Sequence, residues 1–76
     1  QGVFYRDWTV SAARDFGLTG WVRNLPDDTV EAWLEGEDAV IDRMIAAMQD
    51  GPPRARVDRI EREDVESEGF ASFERR

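Results

Sequence analysis

Cysteine, histidine and lysine are all missing from this 76-residue chain. Without cysteine, no disulfide can staple the fold and no thiolate can act as nucleophile or metal ligand. Without histidine, the commonest general base near neutral pH and the commonest zinc ligand are both gone. Chemistry here has to run on arginine, asparagine, carboxylates, hydroxyls and backbone groups. No apolar run approaches the roughly 18 residues of a membrane-spanning helix, and no repeat, low-complexity stretch or secretory leader pattern is visible. These absences set the expectation of a cytoplasmic protein without a membrane partner. The length allows a single domain, residues 1–76, in which only roughly 60% of the unfolded surface is buried.

What is present is acid. Seventeen Asp and Glu against ten basic residues, every one of them Arg, give a net charge of −7 and a pI near 4.4. Such a surface repels nucleic acid and anionic lipid, so a general nucleic-acid binder is excluded. Excess carboxylate without lysine also fits a halophilic protein, since high salt screens self-repulsion; the plainer alternative is a GC-rich genome that favours Arg codons.

Periodicity supplies the elements. Gln1-Gly2-Val3-Phe4-Tyr5-Arg6 reads as a loop entering a helix. Tyr5, Trp8, Ala12 and Phe16 then recur at three- and four-residue steps, with Ala13 beside them, which predicts an amphipathic helix over about 5–16 closed by Gly17. Residues 20–25 read as a strand. Pro26-Asp27-Asp28 is a turn, and the alternation from Thr29 to Glu35 completes an antiparallel hairpin. Glu37 or Asp38 can cap a second helix, whose stripe is Ile41, Met44, Ile45 and Met48; Gly51 and Pro52-Pro53 stop it. Ala55 and Val57 alternate like a strand, with Ile60 out of phase as at a bulge. Residues 61–69 read as a charged loop. Phe70 and Phe73 anchor a short terminal strand, after which Arg75-Arg76 is expected to fray. Met44, Met48 and Phe16 are read as core. Trp21 and Trp33 are read as a packed or half-exposed sheet face rather than a ligand stack, and the carboxylates from Glu61 to Glu68 as a solvated loop rather than a cation site.

Two residues stand out for chemistry. Arg6 lies at the start of a helix, where the dipole is positive and N–H groups lack partners. A cation is unfavourable there by itself, but becomes favourable when an anion sits between the guanidinium fork and the backbone N–H groups. The plainer alternative is an Arg that pairs with Asp7 or extends into water. Asn24 closes a strand just before a turn. Its carboxamide can both donate to and accept from one water, although an Asn at that position is also an ordinary turn-former.

Taken together, Gln1-Gly2-Val3-Phe4-Tyr5-Arg6 and Gly20-Trp21-Val22-Arg23-Asn24 resemble the two signatures of the acylphosphatase family, a V-Q-G-V-x-[FY]-R loop and a G-x-V-x-N strand end. The spacing, the Asp-rich turn, the Val-Glu strand and the Gly51-Pro52 stop agree as well, so the resemblance covers essentially the whole chain. It implies an α+β, ferredoxin-like βαββαβ sandwich with one antiparallel sheet and two helices on one face. It also implies an enzyme that hydrolyses the carboxyl–phosphate bond of acyl phosphates and releases inorganic phosphate. The phosphoryl group would sit on the Arg6 guanidinium and the backbone N–H groups of Gly2, Val3, Phe4, Tyr5 and Arg6, while Asn24 orients the attacking water. No metal or cofactor is implied, and a monomer is expected for the complete domain. The alternative is a non-catalytic binding domain of this type, or part of a larger enzyme that handles carbamoyl phosphate.

The chemistry of the residues agrees with that reading. An acyl phosphate has a good carboxylate leaving group, so positioning and charge stabilisation suffice. Two departures stand beside the match. The family's first strand, about a dozen residues ahead of the Gln, is absent from this chain, so an N-terminally incomplete domain is expected. Asp28 also stands where the family usually has Gly, and Asp tolerates a left-handed backbone better than most residues.

Overall fold

The computed structural model describes residues 2–52, 57 and 60–76. Helix α1 spans Gly2–Asp15 and strand β1 Thr19–Asn24. Strand β2 (Val30–Glu35), helix α2 (Asp38–Asp50) and strand β3 (Phe73–Arg75) follow. Among the described residues the sheet has three strands in the order β2-β1-β3. The predicted hairpin is there: β1 and β2 run antiparallel, with Trp21 opposite Trp33 and Asn24 opposite Val30. One detail of the expected antiparallel sheet is corrected, because β3 joins β1 parallel, Gly20 opposite Phe73 and Val22 opposite Arg75. With β2 running against β1 and β3 running with it, the sheet is mixed.

Helix α1 begins earlier than the periodicity implies. No proline and no Ser, Thr, Asp or Asn cap lies among residues 1–6 to stop the ladder, so it extends back to Gly2. The buried stripe of α1 runs through Tyr5, Thr9 and Ala13, while Trp8, Ala12 and Phe16 are only half-buried. Thr9 is completely buried because its hydroxyl donates 2.8 Å back to the Tyr5 carbonyl. That bond satisfies the polar group and lets a small residue occupy the tightest helix–sheet contact. Gly17 and Gly51 end the two helices as expected, with positive φ at both.

One core lies between the helices and one face of the sheet. Ala13 of α1, Val22 of β1, Met44 and Met48 of α2 and Phe73 of β3 share it with Leu18. Burial of each large apolar side chain among them contributes about 1.5–3 kcal/mol. Met44 and Met48 are therefore core, while Phe16 packs against it from a half-buried position. The tyrosine hydroxyl of Tyr5 donates to the Met48 carbonyl at 3.0 Å and joins α1 to the end of α2; burial pushes its pKa up.

The opposite sheet face carries Trp21 and Trp33 with ring centroids 6.1 Å apart and nearly parallel. Trp21 is nevertheless only 8% exposed, because the guanidinium groups of Arg23 and Arg76 lie over its ring at 5.2 and 4.7 Å. It is packed, as expected, and offers no open stacking surface. Gly20 fits between these strands for a steric reason: a Cβ there would come 1.8 Å from the Trp33 carbonyl oxygen.

Residues 61–69 are exposed and lack regular structure, in line with the solvated acidic loop. Arg62 pairs there with Asp42 of α2 at 2.8 Å and with Asp64 at 3.3 Å. Most of the strand expected around Ala55 lies outside the described residues; Val57 and Ile60 are not in a strand.

Candidate functional site

Arg6 lies on α1 and Asn24 is the last residue of β1. Arg6 is in the second turn of α1, and its Nη1 donates to the Arg76 carbonyl at 2.8 Å. The Arg76 amide in turn donates to the Val22 carbonyl at 2.8 Å. Arg6 is thus fastened across the end of β1, two residues short of Asn24. Side chains alternate along a strand, so Asn24 has the parity of Val22, the helix-facing side, rather than that of Trp21 and Arg23. Tyr5 and Asn24 line the same cleft.

The residues before Arg6 form the first turn of α1 rather than the expected loop. The backbone N–H groups expected to bind an anion, those of Gly2 to Arg6, thus lie at the N-terminal, positive end of α1. The first turn of α1 carries no acidic side chain, so no carboxylate on it competes for the positive end of the helix dipole.

Asn24 is exposed at the last paired position of the hairpin. The turn that follows is closed by local bonds. Leu25 N–H donates to the Thr29 carbonyl at 2.8 Å and Asp28 N–H to the Leu25 carbonyl at 3.1 Å. The Asp27 carboxylate accepts from the Thr29 hydroxyl at 2.6 Å and from its N–H at 3.1 Å. Those bonds, the hydroxyl's above all, hold the Asp27 pKa below the usual value. Asp28 takes the left-handed conformation, φ 68°, which aspartate adopts more readily than most residues. On the other side of the hairpin Arg23 and Glu31 form an exposed ion pair at 2.6 Å, a contact that adds little stability.

Three side-chain contacts tie α1 to the terminal strand. Besides the Arg6 bond, Asp7 pairs with Arg75 at 2.7 Å, and Arg14 grips the Phe73 carbonyl through Nε and Nη2 at 3.2 and 2.9 Å. Arg75 and Arg76, expected to fray, are held instead. Sequence reasoning missed these supports because their partners lie 59 to 70 residues apart and most are backbone carbonyls, which carry no sequence signal. Among the described residues no group of three or more Asp or Glu side chains converges where a metal ion would sit.

Comparison with known proteins gives a consistent answer. The family model described as Acylphosphatase matches residues 1–75. An acylphosphatase of Rhodospirillum rubrum is 55% identical over 58 residues, covering 76% of this chain and 64% of that protein. One of Rubrobacter xylanophilus is 48% identical over 71 residues, covering 93% and 64%. The chain thus spans a little under two thirds of the length of these two relatives. Among solved structures, an acylphosphatase from Coxiella burnetii superposes with a TM-score of 0.93 at 36% identity, covering all of this chain and 80% of that one. The HypF protein of Thermococcus kodakarensis gives 0.85 at 33% identity, covering all of this chain and 10% of that one.

Proposed function

This chain belongs to the acylphosphatase family, and from that premise we propose that it hydrolyses acyl phosphates to a carboxylate and inorganic phosphate. The observation that carries the proposal is the fastening of Arg6 beside the end of β1 that bears Asn24. The phosphoryl group binds at the start of α1, between the Arg6 guanidinium and the backbone N–H groups of Gly2, Val3, Phe4, Tyr5 and Arg6. The helix dipole favours an anion there. Asn24 holds a water through its carboxamide and directs it at phosphorus, opposite the departing carboxylate. As the P–O bond to the acyl group breaks, charge on the phosphoryl oxygens is balanced by Arg6 and the helix N–H groups. The bond electrons leave with the carboxylate, and the water proton passes to phosphate or solvent. No histidine or cysteine is required, and the reaction proceeds without a metal.

The same reading extends to the setting. The substrate is a small acyl phosphate; nucleic acid and membranes are not partners. The complete domain is monomeric, cytoplasmic and adapted to high salt, a reading supported by its net charge of −7 without lysine. Among the described residues no helix is long and apolar enough to cross a membrane.

We also propose that the whole domain contains one more strand, ahead of Gln1, that pairs with the second edge of β2. Among the described residues β2 hydrogen-bonds only to β1. A cleft of about 1490 Å³ runs along it, lined by Val30, Leu34, Ile41, Ile45, Met48 and Ile60 among others. The apolar residues among its lining suit a strand's inward side chains. The intact mass of the natural polypeptide decides the matter: a mass matching these 76 residues alone contradicts the extra strand.

The likeness to one tenth of a HypF chain favours a second reading, in which this is one domain of a larger protein. The enzymatic reading is tested by following benzoyl phosphate hydrolysis with a chelator present, beside Arg6→Ala. Turnover that survives the chelator and vanishes in the variant is expected. Equal rates with and without Arg6 would overturn it.

A further inference from the structure

The carboxylate of Glu35, at the end of β2, accepts four hydrogen bonds. Oε2 takes the Glu68 N–H at 2.6 Å and the Trp33 indole N–H at 2.8 Å; Oε1 takes the N–H groups of Gly69 and Phe70 at 3.1 and 3.3 Å. Three consecutive backbone N–H groups thus converge on one side chain, with Gly69 at φ +83° bending them inward. That is an anion-binding nest, occupied here by the protein's own carboxylate. An exposed ion pair between flexible side chains contributes little, but this contact is different in kind. It fixes backbone, and it saturates the acceptor sites of the carboxylate.

The fixed segment leads directly into the strand that holds Arg6. Phe70 stands edge-on to Trp33, centroids 6.2 Å apart, and lies under the Arg76 guanidinium at 5.7 Å. Ser72 accepts from Gly20 N–H, and β3 then pairs with β1 up to the Arg76 amide on Val22. Strand β3 is only three residues long, too short to define its own position without help from the chain before it. Besides the core packing of Phe73, it is held by α1, the helix whose Arg6 it supports.

We propose that Glu35 is a positioning residue for the anion site: it latches residues 68–70 to the end of β2, and so sets where the Arg76 carbonyl holds the Arg6 guanidinium. Glu35 touches no substrate; its effect passes through backbone. This inference rests on the assignment of Arg6 to the phosphoryl group, and its own consequence is separate from that assignment. Removing the latch loosens Arg6 whatever Arg6 binds.

The test compares Glu35→Ala and Glu35→Gln with Ala46→Gly in the full-length protein. Ala46 is exposed in α2, so its change to Gly weakens the fold without touching the latch. Two readouts are taken: the side-chain Nε–H resonance of Arg6 by NMR, and the dissociation constant for inorganic phosphate. In Glu35→Ala the Arg6 resonance moves towards that of a free arginine, and phosphate binds roughly tenfold more weakly, the scale of one charge-assisted contact. Glu35→Gln, which keeps one acceptor oxygen, falls between. Ala46→Gly leaves both readouts in place. An Arg6 resonance unchanged in Glu35→Ala, or moved equally in Ala46→Gly, overturns the latch. Loss of the resonance without any change in phosphate binding also overturns its role at the anion site. If Arg6→Ala itself binds phosphate normally, the assignment of Arg6 fails, and the resonance still decides whether Glu35 holds it.

Discussion

The two residues proposed for the site are supported in opposite ways. Asn24 is held by a five-residue turn whose bonds all fall between Leu25 and Thr29. Arg6 is held by a carbonyl 70 positions away, on a strand kept in place by Arg14, by the Asp7–Arg75 pair and by the Glu35 carboxylate. A local support forms as soon as the hairpin forms. A distant one exists only when the last strand has docked, after the entropy of a long loop closure has been overcome. The contrast teaches that water positioning should survive damage to the C-terminal segment better than anion binding does.

Arg6→Ala should have the largest effect. It removes the only side chain assigned to the phosphoryl group, and kcat/KM for benzoyl phosphate should fall by about 10³ or more, with phosphate binding lost as well. Comparable turnover in wild type and variant would dissolve the comparison altogether. Phe73→Ala comes next. Phe73 is 1% exposed in the core, and its truncation should cost about 3–5 kcal/mol in a denaturant titration. In a domain of marginal stability that loss undocks β3. In conditions where the variant remains folded, phosphate binding should weaken more than the rate of the bound state. An even loss of both would show that the two supports are not separable.

Asp27→Ala sharpens the comparison from the other side. It removes the acceptor for both Thr29 bonds, so kcat should fall by roughly threefold while phosphate binding stays put; weakened phosphate binding instead would couple the turn to Arg6. The smallest effect is that of acid. Hydrogen bonding holds both Glu35, chiefly through the Glu68 N–H, and Asp27, chiefly through the Thr29 hydroxyl, below their ordinary values of 4.5 and 3.8. A depressed folded pKa means that the unfolded chain binds more protons. The contribution is therefore fully present above those ordinary values and is lost as pH falls through the depressed ones. Thermal unfolding followed below pH 5 should show a decline in wild type that is reduced in Glu35→Gln. Parallel declines would remove Glu35 from the acid response.

The same contrast explains what could be read in the sequence. The hairpin, the second helix and Asn24 before its turn were legible because alternation, helical spacing and turn residues are local signals. Asp28 could even be assigned its left-handed backbone. The start of α1 was misread as a loop because a Gly suggests a break, whereas nothing there stops a helix. Thr9 escaped notice as core because its hydroxyl is satisfied by a backbone carbonyl within the same helix. The roles of Arg14, Glu35 and Arg76 carried no local signal: Arg14 and Glu35 bond chiefly to backbone groups and the Arg76 guanidinium lies over aromatic rings, contacts visible only once the fold brings residues 68–76 beside α1 and β2. The parallel course of β3 is likewise a property of the path between elements, which periodicity does not carry.

The central claim is that Arg6 binds the phosphoryl group while Asn24 positions the water. The most direct measurement is the split between turnover and binding in Asn24→Ala, with kcat for benzoyl phosphate and the dissociation constant of inorganic phosphate determined on the same preparation. The account predicts kcat lower by about 10² with phosphate affinity within about twofold of wild type. Equal losses in both, or unchanged kcat, would contradict it.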